Sequence, residues 1–441
     1  MECGRGWETI VARPSQPGYG HCGDDRRRGE GVEQSEIGES IWRGRQFRAY
    51  LSSTAFSGMA FAMQQLLISW ILIGILELPA DQVGVIQAVI GIPGIFLMLI
   101  GGAKADHADP RALLFAAYLV APIFPLFLVA SHSVGWFAVW SVIIWGLGVG
   151  VVQSYTMPAQ QAILNRIAGS RVQEGVTAAT AVGFFVQVLG LGIAGQTDRI
   201  GVVWVLVAQA VTFGLAAWSV LRITPAGQAN STNGESALRG IVLGLQATIR
   251  SRVILNVLVI NFVSSVFNAG SFVTVFPFIV KRIYDGDALD LAVLMAVFFA
   301  GAAVSNAVLL RFMPLRRPGR LYLVMQLSRI IVLLMLYVRG DWWLLVLASI
   351  AWGLNMGVTS NLARTIVQES AEPEYRGRIL SVFSVGMVGT MPIGAIILGW
   401  MIEQFGTLNA LWPAMIVSAI LFAYGILFTK VWDYASPQAH A

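Results

Sequence analysis

Two apolar runs, GVIQAVIGIPGIFLMLI (84–100) and ALLFAAYLVAPIFPLFLVA (112–130), are separated only by the charged link GGAKADHADPR. Runs of this kind recur along the whole chain and constrain its fold more than any other feature. A helix rises about 1.5 Å per residue, so about 20 apolar residues cross the roughly 30 Å hydrocarbon layer of a bilayer. Of 441 residues, 56% are hydrophobic and 12% charged, about half the charge of an ordinary soluble domain. An unpaired backbone amide in lipid costs several kcal/mol, so spans are helices or a closed barrel, and continuous rather than alternating apolar runs exclude the barrel. The chain reads as an all-α integral membrane protein.

Hydropathy predicts 12 spans, at about 50–76, 83–103, 112–131, 135–157, 175–197 and 202–222, then 253–280, 290–312, 320–338, 342–365, 379–402 and 409–430. The domain reading is a disordered tail over 1–48, a six-helix bundle over 49–223, a linker over 224–252, a second bundle over 253–431 and a short tail over 432–441. The first tail is Gly-rich and charged without an apolar core, so it is neither a signal peptide nor a span. A start codon read too far upstream would leave the same tail. The linker TPAGQANSTNGESALRGIVLGLQATIRSR opens polar and turns amphipathic from Ser236, as an interfacial helix does.

Orientation follows from Lys and Arg. Of 29 such residues, 24 fall in the two tails, the linker and the links on their side; Arg199, Lys281, Arg282 and Arg339 fall on the other side, and Arg329 lies within a span. Both termini are therefore expected in the cytoplasm of a cell that carries the chain in its inner or plasma membrane. The pI near 9.4 reflects this asymmetry rather than nucleic-acid binding. Six plus six spans around a polar linker also point to an internal repeat. An offset of 202 residues superposes Gly175 on Gly377 and Gly192 on Gly394, each pair preceded by a polar segment.

GGAKADHADPRALL is similar to the cytoplasmic signature of the major facilitator superfamily, GxxADRxxRR followed by leucines. Gly102, Ala105, Asp106, Arg111 and Leu114 match it, and Asp109 matches a form common in the bacterial exporter branch that includes the enterobactin exporter. His107 and Pro110 stand where basic residues are usual. FRAYLSS (47–53), Pro93, MPAQQA (157–162), VQESAEPEYRGRILSVFS and GTMPIGAIILG (389–399) extend the resemblance over nearly the whole chain after residue 46. It implies two pseudo-symmetric six-helix bundles that rock about a central cavity lined by spans 1, 4, 7 and 10, and a secondary transporter that moves a small molecule, by export in this branch or by import in the wider fold. A transporter-like sensor or a lipid-moving protein would share these features.

On that frame the residues fall into groups. Asp106 ends span 2, and EYRGR opens span 11, where a helix N-terminus and Arg376 and Arg378 present positive charge. Gly102, Asp106, Asp109, Arg111, Arg376, Gly377 and Arg378 are therefore expected to form a cytoplasmic gate. Pro93, Gly389, Pro392 and Gly394 are expected at hinges or close helix crossings. Gln64, Gln65, Gln153, Asn261, Asn268, Trp352 and Asn355 lie on the implied cavity spans, where with neighbouring aromatics they suit a bulky amphipathic substrate, although helix–helix hydrogen bonding explains each equally well.

None of the 24 acidic residues and none of the four histidines lies mid-span, whereas proton-driven transport usually needs a buried titratable group. If a proton is the coupling ion, Glu77 and Asp290 at span ends are the expected carriers, and Arg329 near the bilayer centre is a third coupling candidate. Cys3 and Cys22 are too few for a structural zinc site, and no GxxxxGK[ST] loop is present. The expectation is thus a non-enzymatic, monomeric transporter without cofactor, metal or nucleic acid, whose partners are a small molecule, the bilayer and protons.

Overall fold

The computed structural model describes residues 44–107, 109–225, 237–313, 315–372 and 374–436, without the side chains of 98–107, 170, 172, 173 and 237–242. Most of the expected tail, much of the polar linker and the last five residues lie outside that set. Twelve helices are long and apolar enough to cross a membrane, and among the described residues there is no strand. The first six are α1 (Arg45–Ile75), α2 (Ala80–His107), α3 (Pro110–Ser133), α4 (Val139–Ala168), α5 (Val172–Ala194) and α6 (Val202–Val220). After a linker helix at Ala237–Arg250 come α7 (Arg252–Ile283), α8 (Ala288–Phe312), α9 (Pro318–Tyr337), α10 (Trp342–Ser370), α11 (Arg376–Phe405) and α12 (Asn409–Leu427). The linker helix and the first and last described residues lie at one end of the bundle, the termini end; the opposite one is the far end.

Each half packs by the same rule. In the first, α2 lies on α4, α1 on α5 and α3 on α6; in the second, α8 lies on α10, α7 on α11 and α9 on α12. Between the halves, α2 packs on α11 and α5 on α8, which are equivalent pairs. The outer surface carries large apolar side chains such as Phe96, Trp204, Leu310 and Ile331. In water such a surface would drive aggregation; against acyl chains it costs nothing.

The helices outrun their apolar runs. α4 continues to Ala168, through Pro158, eleven residues past the expected end of its span, and α10 continues to Ser370. Hydropathy marks only the part of a helix in hydrocarbon, whereas QQAILNRIA keeps its backbone hydrogen bonds into the polar region. The first helix of each half also has a wide π-type turn near its far end, at Ile71–Ile75 in α1 and Ile279–Ile283 in α7.

The true repeat offset differs from the one expected. A methyl group added at Gly190 of α5 would lie 2.5 Å from the Met59 carbonyl of α1, and one added at Gly394 of α11 would lie 2.0 Å from the Val266 carbonyl of α7. Gly195 meets α8 at Ala292 and Leu289, and Gly399 meets α2 at Ala80 and Gly84. These equivalent glycines are 204 residues apart. Gly192 faces open space, so the 202-residue pairing of Gly192 with Gly394 joins positions on different helix faces.

Candidate functional site

The described contacts between the halves concentrate at the far end. The Asp198 carboxylate, just after α5, accepts from Trp70 Nε1 at 2.8 Å and from the backbone N–H of Ala288, the first residue of α8, at 2.9 Å. In the other direction Glu403, near the end of α11, accepts from the backbone N–H of Ala80, the first residue of α2, at 2.7 Å. Each carboxylate thus sits on a helix N-terminus of the opposite half, where free amides and the helix dipole favour negative charge. Arg282 pairs with Glu403 at 3.2 Å, and Lys281 lies over the Trp70 ring. Three residues after each carboxylate the chain turns through a glycine with φ 88, Gly201 or Gly406, a conformation that a side chain would strain.

Deeper in the seam, Gln87 of α2 is buried between the halves. Its Nε2 donates to Ser69 Oγ of α1 and to the Val273 carbonyl of α7, and its Oε1 accepts from Thr274 Oγ1 at 2.8 Å. Close approach of α2 and α11 depends on missing side chains: Gly84 lies against the Ala395 carbonyl and Gly91 against the Pro392 ring. Toward the bilayer centre a methyl group added at Gly389 would meet Ile95 at an ordinary 3.7 Å, and at the start of α11 one added at Gly377 would meet open space among the described residues.

Two buried polar clusters lie within the halves. In the first, Gln209 of α6 donates to Gln64 Oε1 at 2.8 Å and to the Ala60 carbonyl, and accepts from Trp145 Nε1. In the second, Arg329 of α9 donates to Ser264 Oγ of α7, to Gln326 Oε1 at 2.9 Å and to Asn355 Oδ1 of α10 at 3.3 Å. Arg329 is 3% exposed, it forms no ion pair among the described residues, and its Nε has no partner.

Several expected substrate residues are held by neighbours. Gln65 accepts from Gln187 of α5, Asn261 donates to Met387 Sδ, and Asn268 accepts from Nε1 of the buried Trp352 at 2.8 Å. Asn355 donates to Ser328 Oγ and the Met325 carbonyl. Gln153 is exposed on α4. Pro392 and Gly394 sit at helix crossings, and Pro93 lies within α2 without ending it.

Of the expected gate, the side chains of Gly102 and Asp106 lie outside the described set. Asp109 caps α3 by accepting from the Arg111 N–H, and the Arg111 guanidinium donates to the carbonyls of Val220 and Leu221 at the end of α6. Arg376 is exposed, and the Arg378 guanidinium lies over the Tyr375 ring. Glu77 is exposed on left-handed backbone between α1 and α2. Asp290 closes a reciprocal cap with Asp287 at the start of α8.

The family model for transmembrane secretion effectors matches residues 40–436. The chain belongs to this family. No curated protein matches it in sequence. Solved structures that share its major facilitator fold include the nucleoside transporter NupG, with TM-score 0.69, 14% identity and coverage of 88% of this chain and 99% of that one. A bacterial homologue of the human lysosomal transporter Spinster, inward-facing and unoccupied, gives TM-score 0.69 at 14% identity over 90% and 99%. A POT family transporter in complex with 5-aminolevulinic acid gives 0.68 at 11% identity over 86% and 96%. The chain is thus a membrane transporter of the major facilitator type.

Sequence reasoning missed Asp198, Gln87 and Gln209. For Asp198 a signal was present: TDRIG and IEQFG place an acidic residue three positions before a glycine, 205 residues apart. Gln87 and Gln209 carry no such mark, because a lone glutamine in an apolar helix reads the same at a seam as anywhere else.

Proposed function

We propose that this protein exports a small amphipathic molecule by alternating access between its two halves, with both termini in the cytoplasm of a cell whose inner or plasma membrane it spans. The observation that carries the reading is the one-sided seam: carboxylate caps, the Gln87 bridge and glycine crossings hold the far end, while Gly377 at the other end faces open space. A protein held shut at one end by polar contacts of a few kcal/mol is poised to exchange that closure for the opposite one. The family's description as secretion effectors supports outward movement. The Lys and Arg distribution supports an outside position for the sealed end, so that the substrate would enter from the cytoplasm. Gln153, exposed within an apolar span, and the amides of α1, α7 and α10 would meet it. The gate at the termini end would close through Asp106 against the start of α11.

Arg329 favours a second reading of the driving force. A buried guanidinium without a counter-charge is costly in a membrane, and a substrate bearing an anionic group would relieve that cost. The membrane potential then acts on the substrate directly, at about 2.3 kcal/mol per charge per 100 mV, without a proton carrier.

Small molecules inside and outside cells that lack or overproduce the protein test the export reading. A compound retained without the protein and released in proportion to it supports export, and the reverse distribution supports import. The compound so found, loaded into proteoliposomes, separates the driving forces. Flux that follows a pH gradient at zero potential supports proton antiport; flux that ignores pH and follows the potential supports the second reading.

A further inference from the structure

α8 and α9 both pack on α10 but scarcely on each other. The gap between them is a groove of about 540 Å³, lined by Val308, Leu309 and Phe312 of α8, Leu321 and Ile331 of α9, and Leu354 of α10 among others. Val308, Phe312, Ile331 and Leu354 are exposed, so the groove opens sideways, where a membrane-embedded bundle meets acyl chains. It runs from Met335, near the far end of α9, past Ser328 and Asn355 to Leu315 in the α8–α9 link. That link carries Arg316 and Arg317, with Arg311 in the last turn of α8 and Arg320 in the first turn of α9. Arg320 is taken up by Asp433 and the Trp432 ring. Arg311, Arg316 and Arg317 are exposed and form no ion pair among the described residues.

We propose that this groove is a binding site for an anionic phospholipid of the surrounding bilayer, with one acyl chain between α8 and α9 and the phosphate against Arg311, Arg316 and Arg317. The two halves of the site match the two halves of such a lipid. The wall is aliphatic and aromatic, so it gains from burying a chain without needing to satisfy polar groups. Arg311, Arg316 and Arg317 are chain neighbours of Phe312 and Leu315, which line the groove's termini end, and Arg pairs with phosphate by charge-assisted, often bidentate, hydrogen bonds. A zwitterionic lipid would fill the same groove but gain little from the arginines. The site lies on the outer flank of the second half and is distinct from the seam between the halves, so it does not depend on the export reading.

The test uses the full-length protein in nanodiscs of phosphatidylcholine with an equal share of phosphatidylglycerol. Native mass spectrometry, after release into detergent, counts retained lipids. The wild type is expected to retain phosphatidylglycerol in preference to phosphatidylcholine. Each basic side chain near a membrane surface is worth about fivefold in anionic-lipid affinity, so the combined Arg311→Gln, Arg316→Gln and Arg317→Gln variant is expected to lose at least about tenfold of that preference. Val308→Trp, which fills the groove and leaves the arginines in place, is expected to lower retention of both lipids. Size-exclusion elution and Tm identify any variant that fails to fold; Arg311→Lys, Arg316→Lys and Arg317→Lys together then serve as the folded control that keeps the preference. Equal retention of the two lipids by the wild type, an unchanged preference in the folded Gln variant, or unchanged retention in folded Val308→Trp would each overturn the proposal.

Discussion

Asp198 and Ala288 belong to opposite halves of the chain, and the carboxylate of the one receives the backbone N–H of the other at 2.9 Å. Glu403 and Ala80 repeat this arrangement with the halves exchanged. Hydrogen bonds to a charged group contribute about 1.5–3 kcal/mol each. Asp198→Asn combined with Glu403→Gln keeps the shapes and removes the charges. Spin labels on cysteines replacing Gln82 and Gln404, exposed residues on either side of the seam, should then show a longer-distance population enlarged about tenfold or more. An unchanged distance distribution would mean that these carboxylates do not hold the far end.

The glycines divide into two kinds. A methyl group at Gly353 of α10 would lie 1.9 Å from the Phe298 carbonyl of α8, while one at Gly377 meets nothing within 4 Å. Gly353→Ala should cost about 1–3 kcal/mol through overpacking and lower Tm in detergent by several degrees. Gly377→Ala should leave Tm unchanged or slightly raised, since alanine favours a helix by up to about 1 kcal/mol. If Gly377 comes into close contact when the termini end shuts, Gly377→Ala will slow transport without a change in Tm. Wild-type transport by that variant would remove Gly377 from the gate.

Arg329 makes its hydrogen bonds to neutral groups alone. A buried charge without a counter-charge is destabilising, and a neutral side chain in its place removes that cost. Arg329→Gln is therefore expected to hold or raise Tm, and to reduce transport at least about tenfold if the guanidinium meets an anionic substrate. A fall in Tm of many degrees with proportionate loss of transport would assign Arg329 to structure instead.

The charge asymmetry makes a prediction about sidedness. With Cys3 and Cys22 replaced by serine, a cysteine at Ser133 should react with a membrane-impermeant thiol reagent in intact cells, and a cysteine at Glu372 should react only after permeabilisation. Both positions are exposed. The opposite pattern would invert the orientation.

The number and order of the helices were legible because each span must satisfy its backbone and cover its length in apolar side chains, and both demands are written locally. The ends of α4 and α10 were not, since a helix that leaves the hydrocarbon keeps its hydrogen bonds while its hydropathy falls. A carboxylate facing a helix N-terminus is the contact expected at one end of the bundle, at Asp106 and α11, where the Asp106 side chain lies outside the described set. The described contacts of this kind lie at the other end, at Asp198 with α8 and Glu403 with α2. Only the acid-x-x-Gly pattern shared by TDRIG and IEQFG sets those residues apart from ordinary loop acids. Their meaning depends on which helix start lies opposite, and that is fixed only when the two halves meet.

The linker helix has a consequence for how the chain can be divided. Gly244 lies against the Arg378 backbone at the start of α11, and the helix also packs on α7, with fewer contacts to α2. It belongs mechanically to the second half, so the covalent tether between the halves is only the stretch between Pro225 and Ala237. Two separately encoded fragments, ending at Pro225 and beginning at Ala237, would each carry a complete set of six spans, and the second would keep the helix that rests on its own α11. Reassembly in the membrane would then rely on the α2–α11 and α5–α8 seams, which makes such a pair a direct gauge of how strongly the two halves hold each other without the peptide bond that joins them.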